Sequence, residues 1–151
     1  MQLTRLSQED ALRTAERAAE FLARDPRVRL VYLFGSAADR RRTAVRDVDL
    51  AIMTTPQLTV DELLGLRADL VLQVGGEIDL VSLNDAPIVL AWEVADSGRC
   101  LYASDPDVEV EFVTRARARY WDFKPFLDEQ WRLAGERLQE RLARGSDRKT
   151  D

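Results

Sequence analysis

The stretch VYLFGSAADRRRTAVRDVDLAIM, Val31–Met53, decides how this chain is read. An apolar run breaks at Gly35-Ser36, a polar loop follows, and a second apolar run opens on Asp47 and Asp49. Buried strands do not normally begin with alternating carboxylates, because an unpaired carboxylate out of water costs several kcal/mol. Side chains alternate along a strand, so Asp47 and Asp49 are expected on one face, roughly 6–7 Å apart along the backbone. Val48, Leu50 and Ile52 take the other face, where helices can cover them.

Two carboxylates converging on one face repel each other unless a cation sits between them. Oxygen-rich pairs of this kind select Mg2+ or Mn2+, hard ions that keep positions open for water and phosphate oxygens. Asp79 is a third candidate, since it interrupts the otherwise apolar Ile78–Leu83. If that segment lies beside the Asp47–Asp49 strand, three carboxylates meet. Such a set can hold two ions roughly 3.5–4 Å apart, the clamp for in-line phosphoryl or nucleotidyl displacement. Gly35 lets backbone N–H groups approach a ligand, and a short helix from Ser36 would offer N–H groups to a terminal phosphate. Taken singly, each feature has an ordinary explanation: a turn, a solvated strand end, an edge-strand charge. Together they point to a nucleoside triphosphate held through metal.

The rest of the composition narrows the classes. At 151 residues the chain suits one domain with a real core. Hydrophobic residues make up 46% and charged residues 32%, a soluble globular balance. A net charge of −5 argues against direct nucleic-acid binding. The single Cys100 excludes an intramolecular disulfide and fits a reducing, cytoplasmic setting. The charged N-terminus has no apolar core of a signal peptide, and no run reaches the length of a membrane span. No histidine is present, so His-based triads and His-ligated zinc are ruled out.

Periodicity predicts helices over 8–24, from Thr59 to Gly75-Gly76, and over Pro87–Ser97, with a short one over Ser36–Arg42. Strands are expected at Val28–Phe34, Val48–Met53, Ile78–Leu83 and Arg99–Ala103. From Asp105-Pro106 to about Arg144 the pattern is helical, with a kink or break expected at Pro125. The order predicts an α/β (α+β) domain, a small mixed sheet flanked by helices with a long C-terminal helical arm. One domain is expected over 1–151: an α/β core at 1–104, the arm at 105–144 and a frayed tail at 145–151. In the arm Leu127, Trp131, Ala134, Leu138 and Leu142 share one face. Its default partner is the chain's own sheet; Trp121, Trp131 and Arg119 would equally serve as anchors for another protein.

Gly35-Ser36, ten residues, then Asp47-Val48-Asp49 resembles the G-S-x10-D-x-D signature of the DNA polymerase β-like nucleotidyltransferase superfamily. Asp79 matches its third carboxylate. Within that superfamily the chain looks like the minimal nucleotidyltransferases, in particular the MntA-type antitoxins paired with HEPN-domain toxins. The likeness extends through Leu80–Tyr102, with D-A-P-I-V-L and C-L-Y, to the arm R-A-R-Y-W-D-F-K-P-F-L-D. The resemblance implies the polymerase β-like nucleotidyltransferase fold and Mg2+-dependent transfer of AMP from ATP to a tyrosine hydroxyl of a partner HEPN ribonuclease, silencing it. By position, Gly35 and Ser36 would bind the triphosphate and Asp47 and Asp49 the metals. Asp79 would complete the metal site and act as, or assist, the base. Many relatives read G-S-x-A-R-G in the turn. Here Asp39 stands where the arginine falls, which makes Arg40 the candidate to offset phosphate charge. Two other readings stay open: an antitoxin that neutralises by occlusion alone, and a small-molecule nucleotidyltransferase of the aminoglycoside-modifying kind.

Overall fold

The computed structural model describes residues 6–39, 44–45 and 47–147. Ser7 opens the first helix, α1 (Gln8–Ala23), by accepting the Asp10 N–H at 3.1 Å. Ala11, Ala15, Ala18, Ala19 and Leu22 form its buried stripe, and the small alanines let the helix lie close on the sheet. After the helix ends, the Asp25 carboxylate accepts three bonds from Arg27, from the backbone N–H, Nε and Nη2. The Arg27 side-chain bond is the main reason that the Asp25 carboxyl lies below its ordinary range.

The strands are β1 (Leu6–Ser7), β2 (Val28–Phe34), β3 (Ala44–Val45), β4 (Val48–Thr54), β5 (Ile78–Ser82) and β6 (Arg99–Ala103). β1 and β3 make a two-stranded ladder. The other four form a mixed sheet in the order β5-β4-β2-β6, with β4 and β5 parallel and the remaining pairs antiparallel. Five of the seven residues of β2 are buried, as a central strand requires. The parallel pair needs a crossover, and α2 (Val60–Val74) supplies it. Thr59 and Glu62 cap that helix reciprocally.

Each sheet face has its own cover. Val31, Leu33, Val48, Leu50, Ile52, Ile78 and Leu80 pack with the α1 stripe and with Leu66 and Leu70 of α2. Leu30, Tyr32 and Ala51 pack with Ala91, Val94 and Ala95 of α3 (Ile88–Ser97) and with Phe112 and Ala116 of α4 (Pro106–Asp147). α3 stops at Gly98, where an added Cβ would collide with the Val94 carbonyl oxygen and crowd the Leu33 carbonyl at 3.1 Å. The Tyr32 ring meets Phe112 at 5.6 Å and its hydroxyl donates to Glu109 Oε1 at 3.0 Å. Burial, then that carboxylate, pushes the Tyr32 phenol well above its ordinary value.

The chain divides into two compact units, Met1–Arg117 and Ala118–Asp151. In the second, α4 continues through Pro125 to Asp147, so the expected break is absent; Gly145–Asp147 are helical, and the rest of the expected frayed tail, 148–151, lies outside the described residues. A proline removes one helical hydrogen bond, and here the flanking turns carry on around it. Within it Trp131 is 74% exposed and Leu142 66%. No described helix is long and apolar enough to cross a membrane.

Candidate active site

The site residues gather where β2 ends and β4 and β5 begin. β2 runs into a single 3-10 turn, Gly35–Ala38, because Gly35 adopts φ +72°, a region that β-carbon residues avoid. An added Cβ at Gly35 would lie 2.5 Å from Asp49 Oδ2, so glycine is also what lets that carboxylate lie against the backbone. Ala37 is buried in the core, and Gln8 of α1 donates to the Asp39 carbonyl at 2.7 Å, pinning the turn from the other side. The expected helix over Ser36–Arg42 is thus shorter: Asp39 is already extended, since the turn closes on its N–H to the Ser36 carbonyl. Arg40 lies outside the described residues.

Strand pairing sets two of the acids side by side. Asp49 is opposite Phe34 on β2 and directly opposite Asp79 on β5. Asp47 immediately precedes β4, and the adjoining Val48 N–H bonds the Glu77 carbonyl at 3.1 Å. Burial is the first cause raising the Asp49 carboxyl above its ordinary range, and the charges of Asp79, Asp47 and Glu93 add to it. No cationic side chain among the described residues pairs with Asp49. Asp79 is different. It is about half exposed, and Arg67 Nη2 donates to its Oδ1 at 2.9 Å while Arg67 Nε donates to the Ile78 carbonyl at 3.0 Å. Asp47, Arg67 and Asp79 line one recess of about 380 Å³ at the β5 edge. Among the described residues, no three acidic or cysteine side chains are close enough to share one ion.

The donor set nevertheless fits a hard divalent cation. It offers only carboxylate oxygens, and among the described residues no cation pairs with the partly buried Asp49. Three contributors escaped the sequence reading. Gln8 and Arg67 are polar residues on helices whose periodicity marks only the apolar face. Glu93, on α3, adds its charge to Asp49 only because the fold brings α3 near. Their positions depend on pairing between distant segments, which no local signal carries.

Comparison with known proteins agrees with this architecture. The chain is 31% identical over 85 residues to the protein adenylyltransferase MntA of Shewanella oneidensis, a span of 56% of this chain and 61% of that protein. The matched segment is therefore less than two thirds of the relative's length. A solved structure of tri-AMPylated Shewanella oneidensis HEPN toxin in complex with MNT antitoxin superposes with a TM-score of 0.61 at 25% identity, covering 82% of this chain and 98% of that one. A toxin–antitoxin crystal structure with AMP-PNP shares the fold with a TM-score of 0.65 at 24% identity, over 77% and 98% of the two chains. Residues 16–107, from the second half of α1 to the start of α4, match the family described as Polymerase beta, Nucleotidyltransferase. On that match, with Gly35-Ser36, Asp47 and Asp49 inside it, the chain belongs to the polymerase β nucleotidyltransferase family.

Proposed function

We propose that this chain is a protein adenylyltransferase of the antitoxin kind, which moves AMP from ATP to a tyrosine hydroxyl of a cognate HEPN toxin in the cytoplasm and so silences it. The observation that carries the reading is the Asp49 corner: a half-buried carboxylate, raised in proton affinity, pressed against a left-handed glycine and opposite Asp79. The name of the Shewanella relative and the AMPylated toxin of the neighbouring complex support the substrate and the acceptor.

In this reading Gly35 and Ser36 take the triphosphate through the turn, with Arg40 as a further phosphate partner. Asp47 and Asp49, with Asp79, hold Mg2+ or Mn2+. The ion, when bound, supplies charge stabilisation to the phosphoryl oxygens. The tyrosine oxygen attacks the α-phosphorus, the bond to the β-phosphate oxygen breaks, and pyrophosphate leaves. The proton of the hydroxyl goes to the Asp79 carboxylate, which must first part from Arg67. Incubation with the cognate HEPN protein, ATP and Mg2+ should add AMP masses to a toxin tyrosine, and Asp47→Ala should remove the gain. A second reading is favoured by the Arg67–Asp79 pair and the exposed apolar face of α4: neutralisation by occlusion. Silencing that persists in Asp47→Ala with no added mass would establish it instead.

A further inference from the structure

We propose that Arg67 is a positioning residue that withholds Asp79 from the cation site until a divalent ion displaces it. This rests on the cation-dependent reading above. Register sets Asp49 and Asp79 side by side, yet the three acids do not form a group able to share an ion. Arg67 supplies the reason. Its guanidinium forks over β5, with Nε on the Ile78 carbonyl at 3.0 Å and Nη2 on Asp79 Oδ1 at 2.9 Å, and so occupies one carboxylate oxygen and holds the side chain in place. Asp47 lines the same recess, while the ion pair that Arg67 makes is with Asp79.

The strength of the pair suits such a role. Its side chains are 47% and 54% exposed, and an ion pair so open to solvent is held weakly. Arg67 can therefore compete with a dilute cation and yield to a concentrated one. Asp49 has no such partner among the described residues. The site would be assembled from Asp47 and Asp49 together with an Asp79 that is released to it.

The test is a calorimetric titration of the metal-free full chain with Mn2+ alone. Arg67→Gln should tighten binding by about three- to fivefold, the scale of an exposed ion pair. In an Asp79→Asn background the same change should have no effect. A gain of equal size in that background would mean that Arg67 acts only as a distant positive charge, and would overturn the inference. Arg67→Lys, which keeps the charge but not the fork, should give a smaller gain of the same sign. It serves as the test if circular dichroism finds Arg67→Gln unfolded. Mn2+ binding that Asp49→Asn abolishes but Arg67→Gln leaves unchanged defeats this inference and spares the cation reading. No Mn2+ binding in any variant defeats both.

Discussion

The β2–β4 corner and the far half of α4 are built on opposite principles. At the corner, Leu33, Leu50 and Ile52 are fully buried, and that packing holds Asp49 in a place where its charge is disfavoured. From Ala118 onward α4 has Trp121, Trp131, Leu138 and Leu142 exposed, and its ion pairs are local: Lys124–Asp128, Arg132–Glu129 and Arg132–Glu136. The first region uses long-range packing to tolerate a costly group. The second spends little on packing and leaves its apolar groups open. Chemistry needs the former, because a misplaced carboxylate binds nothing; a surface for another protein can be provided by the latter.

The contrast is sharpest in activity. Asp49→Asn should lower AMP transfer by about a hundredfold or more, read by mass gain on the acceptor, since a lost electrostatic group at a reacting centre costs that much. Its melting temperature should not fall, because one of several repelling acids has been neutralised. A collapse of the fold would make the corner structural. Next comes packing. Leu50→Ala should destabilise the chain by about 2–5 kcal/mol in denaturant titration, whereas Leu142→Ala should stay within about 0.5 kcal/mol. Equal losses would erase the distinction between the two regions.

Gly35→Ala should cost about 1–3 kcal/mol, because it strains a positive φ and drives a methyl into Asp49. Repeating it with Asp49→Ala should recover the steric part and leave the backbone part, measurable as a non-additive pair. The Asp25 carboxyl titrates below its ordinary range in the folded chain, so its stabilisation is complete above the unfolded value and is lost as pH falls through the folded one. Asp25→Asn should remove that acid-limb slope and about 0.5–1.5 kcal/mol at neutral pH, checked by melting across pH 2–7. The smallest effect belongs to the arm. Arg132→Ala should change stability by only a few tenths of a kcal/mol, and less still in high salt.

The legibility of the molecule follows the range of the interactions. Strand Val28–Phe34 and the cap Thr59–Glu62 were readable because β-branched and aromatic composition and capping are matters of a few adjacent residues. The G-S-x10-D-x-D spacing was readable because the turn and β4 are neighbours in the chain. The Ser36–Arg42 helix was overextended, since the turn's length is set by Ala37 entering the core and by Gln8 binding the Asp39 carbonyl from 31 residues away. The apolar face of the arm was identifiable as a face. Its exposure was not, because periodicity says which residues point together and never what covers them.

By itself, the order of residues determined the main helices and strands, the mixed α/β class and the spacing of Asp47 and Asp49 behind Gly35-Ser36. Only the tertiary structure decided that Asp49 and Asp79 are register partners, that Asp49 is the one whose charge burial penalises, and that Arg67 holds Asp79. The physical reason is one of distance. Propensity, capping and alternation act over a few residues, whereas the charge state and freedom of a carboxylate depend on whichever groups the folded chain brings within a few ångströms of it.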